Sequence, residues 1–565
     1  MSQRDSSGES ARRTSSAGPS AGAAVKARDS SGQPTRRTSA ASQDRSEPPS
    51  AARAEPEVPS AKRTRPAPPA SQARPAPLAT RARPELPLAT RARPELPLAT
   101  RARQTPPATR ARLVVVSNRV ASVRHPDRAG GLAVALLDAL RRSGGVWFGW
   151  SGEISERERR TPKLQHHSAL TVATLDLTSD DYEDYYNGFA NSTLWPLFHY
   201  RLDLATFDRE HYQGYLKVNQ RFAHALLPLL KAGDHVWVHD YHLMACGEEL
   251  RRMGCTSPMG FFLHIPFPAR EVLTALPTHD VLVRALFSYD VIGFQTEGDR
   301  DCFLDYVVKE AGGRILGHDR VQAYGREVVV AAFPIGIDAG AFARYATTRE
   351  AGEHAARMRR VLNDRQAILG VDRLDYSKGL PERFRAFERL LADYPENRGR
   401  ASYIQIAPRS RSDVQDYVDI RHELETLSGR INSEYSEFDW TPLRYINRSF
   451  SRRALAGLFR IARIGLVTPL RDGMNLVAKE YVAAQSPRDP GVLVLSRFAG
   501  AARHADGAVI VNPYDVGGVA DALQRALNMP LAERKERWRT LVEGVRRDDV
   551  MAWRESFLER LYAVR

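Results

Sequence analysis

The stretch PLRDGMNLVAKEYVAA, residues 469–484, combines two carboxylates with a glycine-softened turn and the start of a helix. Asp472 stands beside Gly473, and Glu480 follows eight positions after Asp472. The helix is predicted to begin at about Asn475, so its free N–H groups and positive dipole end would face a phosphate. Eight residues span about 12 Å at helical rise. This length suits a nucleotide sugar, with Asp472 on the sugar and Glu480 on the ribose, although long helices also show the spacing by chance.

A second stretch, GVDRLDYSKGL, follows a predicted strand and carries two cations. Arg373 and Lys378 are five residues apart, and two fixed cations on one turn suit a diphosphate. A basic turn that only faces solvent is the alternative interpretation. Arg411 follows another predicted strand, ASYIQIAP, in a similar position.

Polar residues also end two predicted strands in the first half of the chain. Asp240 follows HVWVH and is placed to accept hydrogen bonds from hydroxyl groups. His239 and His242 flank it, but residues three apart on an extended segment do not share a face, so we predict no metal site. His264 ends the run MGFFL, and the prolines that follow it stiffen the chain. This pattern fits a structural histidine and a functional one equally well.

Gly130 and Gly131 open a predicted helix, AGGLAVAL, after the strand LVVVS and the pair Asn118-Arg119. Backbone N–H groups can approach an anion or a sugar closely where glycines begin a helix. The signal is weak by itself, because such pairs are often only tight turns.

The elements that must position these residues are short β-branched runs that alternate with amphipathic, helix-like stretches from Leu113 onwards. Continuous apolar strands separated by helices indicate parallel sheets covered on both faces. Twelve strands exceed one compact sheet, so we predict an α/β protein with two doubly wound domains that join near residues 337–350. In such folds the ligand lies beyond the carboxyl ends of the strands, where the candidate residues stand. The runs are 113–117, 146–150, 235–240, 259–264, 291–296, 328–336, 366–373, 401–408, 443–449, 464–469, 491–496 and 508–513.

The composition predicts a cytoplasmic globular protein. The chain has 565 residues, 42% of them hydrophobic, which is enough for more than one domain. Cys246, Cys255 and Cys302 show no metal-site or disulfide spacing, which fits a reducing compartment. The N-terminus has no apolar signal region, and no run approaches the roughly 20 apolar residues that a membrane helix needs.

The first 112 residues are rich in Ser, Ala, Pro and Arg and are predicted to form a disordered basic tail. They contain 21 Lys and Arg against 9 Asp and Glu, a net charge of +12 out of +15 for the whole chain. The unit LATRARPELP occurs at 78–87 and 88–97, with too few large apolar residues to stack as a solenoid. The alternative to a passive extension is that the arginines of the tail bind an acidic surface, a membrane or nucleic acid. The rest of the chain, outside the tail, is close to neutral.

Several motifs together resemble retaining glycosyltransferases of the trehalose-6-phosphate synthase family, from about Leu113 to the C-terminus. The motifs occur in the expected order. They are SNR (117–119), AGGLAVAL (129–136), WFGWSGE (147–153), LWPLFHYR (194–201), WVHDYHL (237–243), GFFLHIPFP (260–268), DRLDYSKGLPER (372–383) and PLRDGMNLVAKEYVAAQ (469–485).

The resemblance implies a GT-B fold, in which two Rossmann-like domains face each other across a cleft. The implied domains are 113–345 for the acceptor and 346–530 for the nucleotide sugar, with a C-terminal helix in 531–565 crossing back to the first domain. It implies transfer of glucose from a nucleotide-glucose, UDP-glucose above GDP- or ADP-glucose, to glucose 6-phosphate, giving α,α-trehalose 6-phosphate. No metal or other cofactor is expected.

The resemblance also implies a role for each matched residue. His264, Asp240, Arg373, Lys378 and Asp472 would serve the reacting centre, with His264 near the donor sugar and Asp240 on acceptor hydroxyls. Acceptor binding would use Arg119, Tyr186, Trp195 and Arg411 at the phosphate, with Trp150 nearby. Donor binding would use Gly130, Gly131, His264, Arg373, Lys378, Phe450, Asp472, Gly473, Met474, Asn475, Leu476, Val477, Ala478, Lys479 and Glu480.

Three other functions remain open from the sequence. A sister transferase could make glucosylglycerol phosphate or a pseudo-disaccharide, but Arg119, Tyr186, Trp195 and Arg411 favour a hexose-phosphate acceptor. A non-catalytic regulatory subunit would be expected to lack Arg373, Lys378 or Glu480, and all are present. Nucleic-acid binding by the tail predicts strong salt dependence. The donor base and a homo-oligomeric state are left undetermined, because Phe450 can stack on any base.

Overall fold

The structure, a computed structural model, describes residues 112–121, 136–137, 140, 144–411 and 414–564. The described part contains a ten-stranded and a six-stranded β-sheet, with helices packed around both. The predicted α/β class with two mostly parallel sheets is confirmed. Gly130, Gly131 and residues 1–111 of the predicted tail lie outside the described residues.

The first sheet takes its strands from the first half of the chain. They are β1 (Leu113–Arg119), β2 (Gly145–Ile154), β3 (Lys163–His167), β4 (Leu170–Leu177), β5 (His235–His239), β6 (Met259–Phe262), β7 (Val291–Phe294), β8 (Arg314–Ile315), β9 (Arg320–Ala323) and β10 (Arg326–Ala332). Their order is β3-β4-β2-β1-β5-β6-β7-β10-β9-β8. The inner pairs are parallel, and only β3, β8 and β9 pair antiparallel, at the two edges.

The second sheet is parallel throughout its described pairs. Its strands are β11 (Gln366–Val371), β12 (Ala401–Ile406), β13 (Leu443–Ile446), β14 (Ile464–Val467), β15 (Val492–Ser496) and β16 (Val509–Val511). The order is β13-β12-β11-β14-β15-β16. The order reverses between β11 and β14, and a crevice for a ligand is expected at such a reversal.

Helices connect successive strands. The α-helices are α1 (Ser179–Asp181), α2 (Trp195–Phe198), α3 (Arg209–Leu226), α4 (Cys246–Arg252), α5 (Arg270–Leu273), α6 (His279–Leu286), α7 (Glu297–Lys309), α8 (Ala339–Tyr345), α9 (Arg349–Leu362), α10 (Leu380–Asp393), α11 (Gln415–Tyr435), α12 (Arg452–Ile461), α13 (Leu476–Ala484), α14 (Val516–Asn528), α15 (Leu531–Arg547) and α16 (Val550–Tyr562). A π-helix, Tyr182–Leu194, joins α1 to α2.

All twelve predicted runs form strands, and most of them are buried apolar segments. Four strands were not predicted: β3, β4, β8 and β9. β3 and β8 are edge strands whose residues are largely exposed, so they carry no buried apolar run. Threonine and aspartate interrupt the apolar residues of β4.

The last two helices divide between the two sheets. Trp538 of α15 donates its indole N–H to the carbonyl of Val482 in α13, 3.1 Å away. Phe557 of α16 stacks on Trp237 of β5, with ring centroids 4.6 Å apart. A Cβ at Gly260 would lie 2.7 Å from the ring of Phe557, so this close packing needs glycine. The segment predicted as one returning helix is therefore two helices, and the second packs on the first sheet.

Candidate active site

The loop after β14 places Asp472 just before the start of α13, whereas Glu480 lies in the middle of that helix. Asn475 adopts a positive φ of 76° and caps the helix, accepting from the N–H of Ala478 at 3.3 Å. Its amide also donates to Asp472 Oδ2 at 3.2 Å. The helix starts at Leu476, one residue after the predicted start at about Asn475, and Asn475 is its N-cap. The positive end of the helix dipole therefore lies at this loop.

Gly473 brings this loop against the first sheet. A Cβ on Gly473 would lie 2.1 Å from the carbonyl oxygen of His264, and a Cβ on Gly500 would lie 1.9 Å from the carbonyl oxygen of Gly473. Side chains at either position would collide with backbone. The loop and the segment after β6 can therefore approach closely only because these residues are glycines.

Three cations from the second half of the chain meet at one aromatic ring from the first half. The guanidinium carbons of Arg411 and Arg373 lie 4.0 and 5.3 Å from the centre of the Trp195 ring, and Lys378 Nζ lies 5.9 Å away. Lys378 also donates to Asp472 Oδ2 at 2.6 Å. This cluster concentrates positive charge at the carboxyl ends of β11 and β12, which suits a phosphorylated ligand.

A buried carboxylate, Asp375, balances part of this charge. Its Oδ2 lies 3.3 Å from Arg373 Nη2 and 3.8 Å from Arg411 Nη1, and its side chain is fully buried. Burial alone would raise the pKa of Asp375, but the charges of Arg373, Arg411 and Lys378 outweigh burial and lower this pKa to about 2. Asp375 was not singled out by sequence, although it lies between Arg373 and Lys378 in the same motif.

An aromatic wall lies on the side of the first sheet. The ring of Tyr186 lies 5.6 Å from that of Trp150 and is stacked on that of His242, 5.9 Å away. Arg119 places its guanidinium 5.5 Å from the Trp150 ring. Arg411 Nη2 donates to Tyr241 Oη at 3.1 Å, so the cation cluster and the first half of the chain are joined directly.

Asp240 ends β5 with a strained backbone, at a φ of 77°. Its Oδ1 accepts from the backbone N–H of His264 at 3.1 Å, which ties the ends of β5 and β6 together. Burial raises the pKa of the Asp240 carboxyl to about 6, against the opposing effect of its hydrogen bonds and of Arg411.

His264 has a protein partner on each ring nitrogen. Nε2 lies 3.0 Å from Nδ1 of His239, and Nδ1 lies 3.3 Å from Nε2 of Gln295. Burial lowers the pKa of His264 to about 3, so its ring is neutral near pH 7. His239 and Gln295 were not predicted as site residues. Gln295 directly follows β7, so the strand-end rule that found His264 could also have found it.

The remaining residues predicted to bind the nucleotide-sugar donor have side chains that point in different directions. Lys479 points away from the loop and donates to the carbonyl of Ile335 at 2.7 Å. Glu480 accepts from Arg452 Nη2 at 3.3 Å, and burial raises the pKa of its carboxyl. Residues 476 and 477 at the start of α13 are half-buried, whereas 474 and 478 are buried.

Phe450 lies apart from the cation cluster, in the segment that precedes α12. Its ring lies 4.9 Å from the guanidinium of Arg448 and 5.9 Å from the ring of His354. The ring is half-buried.

Within the described ranges, no group of three or more His, Cys, Asp or Glu side chains is arranged to hold a metal ion. The described helices include none that is both long and apolar enough to span a membrane.

Comparisons with known proteins agree with this arrangement. A curated trehalose-6-phosphate synthase from Klebsiella pneumoniae is 51% identical over 455 residues, covering 80% of this chain and 95% of its own length. A crystal structure of an α,α-trehalose-phosphate synthase (UDP-forming) from Burkholderia xenovorans in complex with glucose 6-phosphate is 51% identical. Its TM-score is 0.78, and the match covers 80% of this chain and all of that one.

An E. coli structure described as bound with UDP-2-fluoro glucose is 49% identical with a TM-score of 0.78, over 80% of this chain and all of that one. The two sheets therefore form a GT-B fold. The family model described as glycosyltransferase family 20 matches residues 103–563. The chain belongs to glycosyltransferase family 20.

Proposed function

We propose that this chain is a retaining glucosyltransferase that moves glucose from UDP-glucose to glucose 6-phosphate and forms α,α-trehalose 6-phosphate. The observation that carries the proposal is the convergence of Arg373, Lys378 and Arg411 on Trp195, beside the start of α13. Two phosphorylated substrates need positive charge at two nearby places. Two of the similar proteins described above support this choice of substrates. One is named as UDP-forming and is in complex with glucose 6-phosphate, and the other is bound with UDP-2-fluoro glucose.

On the donor side, Arg373, Lys378 and the N-terminus of α13 bind the diphosphate. Asp472 binds the donor glucose together with the backbone of residues 473–478, and Glu480 binds the ribose. Phe450 stacks on the base. Gly130 and Gly131 complete the donor site, and Lys479 contributes through its backbone, because its side chain bonds to Ile335.

On the acceptor side, Arg411 and Arg119 bind the phosphate of glucose 6-phosphate with Tyr186 and Trp195. Asp240 accepts hydrogen bonds from the acceptor hydroxyls. Trp150 supports this wall through its contact with Tyr186. The aromatic side chains suit the apolar faces of a hexose, while the guanidinium groups suit its phosphate.

Retention follows from attack on the same face of the sugar that the diphosphate leaves. The bond from C1 to the phosphate oxygen breaks as the anomeric oxygen of glucose 6-phosphate approaches, and the freed phosphate oxygen takes the proton of that hydroxyl. Arg373, Lys378 and the helix end stabilise the charge that develops on the leaving diphosphate. The protein then contributes orientation and electrostatics, with His264 beside the donor sugar.

The test is nucleoside-diphosphate release by the purified chain, with UDP-, GDP- and ADP-glucose, each with and without glucose 6-phosphate. The expected result is release from UDP-glucose that requires glucose 6-phosphate and yields a non-reducing disaccharide phosphate. Unchanged release in the presence of EDTA would support the expectation of a metal-free reaction. No release from any donor by the folded full chain would contradict the proposal.

A further inference from the structure

A chain of hydrogen bonds runs from α13 to the end of β5. Lys479 Nζ donates to the carbonyl of Ile335 at 2.7 Å, and the backbone N–H of Ile335 donates to Oε1 of Gln295 at 3.0 Å. Nε2 of Gln295 lies 3.3 Å from Nδ1 of His264. Nε2 of His264 lies 3.0 Å from Nδ1 of His239.

The donor and acceptor chemistry of these groups fixes the direction of each hydrogen bond from Ile335 to His239. The N–H of Ile335 can only donate, so the oxygen of the Gln295 amide must face it and the amide nitrogen must face His264. That nitrogen can only donate as well, so Nδ1 of His264 accepts and its proton is on Nε2. Nε2 of His264 then donates to Nδ1 of His239. A single tautomer of His264 satisfies every bond in the chain.

Burial makes the arrangement costly to break. The side chains of Gln295, Lys479 and His239 are buried, and Ile335 is also buried. An amide or imidazole that loses its partner in such a place destabilises the folded protein. The titratable groups placed against His264 are His239, on its ring, and Asp240, on its backbone N–H.

Ile335 allows these hydrogen bonds to connect the two sheets, because it lies where the backbone crosses from the first sheet to the second. β10 ends at Ala332, and α8 begins at Ala339. One polar backbone group of Ile335 is bound by α13, and the other is bound by the residue that follows β7. The two hydrogen bonds of Ile335 therefore connect α13 to the residue that follows β7.

We propose that Gln295 is a positioning residue that fixes the tautomer and ring orientation of His264, and that Lys479 ties this arrangement to α13 through Ile335. The inference rests on the proposed function only in naming the donor sugar as the ligand beside His264. The hydrogen-bond chain itself is a property of the protein alone.

The first test reads the tautomer directly in the full-length chain. Nitrogen-15 labelling of histidine, with long-range ¹H–¹⁵N correlation, reports which ring nitrogen carries the proton, and the His264→Asn variant assigns the signal. The wild-type protein is expected to show the proton on Nε2. In Gln295→Glu the carboxylate offers no donor, so the proton is expected on Nδ1 or on both nitrogens. A proton that stays on Nε2 alone would overturn the proposal.

Gln485 provides a matched control. It is a buried glutamine that also uses both ends of its amide, donating to the carbonyl of Phe459 at 2.6 Å and accepting from Gly491 at 2.8 Å, with no histidine in these bonds. Gln485→Glu makes the same chemical change at similar burial. It is expected to leave the His264 signal unchanged. A shift of that signal as large as the one in Gln295→Glu would mean that general loosening causes the effect.

Kinetics give a second measurement. Gln295→Glu is expected to lower kcat by about tenfold to a hundredfold, as substitutions that misorient a site imidazole do, with less change in the KM for glucose 6-phosphate. If Gln295→Glu does not fold, Gln295→Met removes the donor without adding charge and should give a mixture of both tautomers. An unmixed Nε2–H signal in Gln295→Met would contradict the proposal. A wild-type chain that releases no UDP would reject the proposed function, and the tautomer measurement would still decide this inference.

Discussion

The two sides of the cleft are built from different chemistry. The strand ends of the first sheet carry rings, and burial lowers the pKa of three of the histidines there, His239, His242 and His264. The strand ends of the second sheet carry permanent cations, each with a nearby carboxylate. Lys378 bonds to Asp472, and Arg373 contacts Asp375. We call the ring-lined side the neutral wall, although Arg119 and Asp240 also stand on it, and the side with the paired cations the charged wall.

This difference matches the two needs of the proposed reaction. A neutral, rigid wall can orient hydroxyl groups without competing for protons, because its imidazoles stay uncharged near pH 7. A charged wall whose cations are already held by carboxylates can stabilise a leaving diphosphate with little reorganisation. Variants that remove charge from the second wall should therefore act on catalysis and stability, while variants at Arg411, where the walls meet, and at Asp240 should act on acceptor binding and on pH dependence.

The largest effect is expected for Lys378→Met. The change removes a cation that we place on the leaving diphosphate and leaves Asp472 without its 2.6 Å partner. We expect kcat for UDP release to fall by about a hundredfold to a thousandfold. Lys309→Met, at an exposed lysine that ends α7, is the control. Its kcat for UDP release should stay within twofold of the wild-type value. A loss of less than tenfold in Lys378→Met would show that the charged wall does not stabilise the leaving group.

Asp375→Asn should reduce stability rather than only activity. Removing one partner from a buried ion pair costs about 3–5 kcal/mol, and this applies to Arg411, which would keep its charge in a buried place. Arg373 adds less, because its side chain is 46% exposed and solvent screens its charge. Chemical denaturation of both proteins at pH 7 measures this cost. The exposed pair of Arg389 and Asp393 supplies a control, since Asp393→Asn should cost less than about 1 kcal/mol.

The pH dependence of stability provides a second test of the ion pairing of Asp375. The pKa of Asp375 in the folded protein, about 2, lies below its ordinary value of 3.8, so its stabilising contribution is present above pH 4 and is lost as the pH falls towards 2. The difference in stability between the wild type and Asp375→Asn should therefore narrow as the pH is lowered from 5 to 3. A difference that stays constant over this range would contradict the assigned ion pair.

The sequence predicted most of what lies on strands and their ends. All twelve runs, the α/β class and the start of α13 follow from local patterns of burial and capping. The chain from Lys479 to His239 could not be predicted, because its partners are up to 144 residues apart and meet only once both sheets are formed. Lys479 and Glu480 also show a limit of sequence motifs. Neighbouring residues on a helix point in different directions, so a continuous motif cannot place every side chain on one ligand.

A smaller effect is expected where the two walls meet, in Arg411→Lys. Lysine keeps the charge but cannot stack a planar guanidinium 4.0 Å from Trp195 while also donating to Tyr241. We expect the KM for glucose 6-phosphate to rise about tenfold, as for loss of one interaction of about 1.4 kcal/mol, with kcat changed less. Arg430→Lys, an exposed site on α11 paired with Glu388, should leave both constants unchanged. A fall in kcat without a change in KM would place Arg411 with the leaving group instead.

The smallest effect belongs to the neutral wall and depends on pH. Burial raises the pKa of Asp240 to about 6, so its carboxylate becomes protonated as the pH falls through that value and loses capacity to accept hydrogen bonds from the hydroxyl groups that we propose it binds. We expect kcat/KM for glucose 6-phosphate to fall to about half between pH 8 and pH 6. The substrate phosphate also titrates near pH 6, and Asp240→Asn separates the two causes. If kcat/KM of Asp240→Asn is low and does not change with pH, the fall in the wild type is due to Asp240. If kcat/KM of Asp240→Asn still falls between pH 8 and pH 6, the fall is due to the substrate phosphate, and Asp240 does not cause the pH dependence.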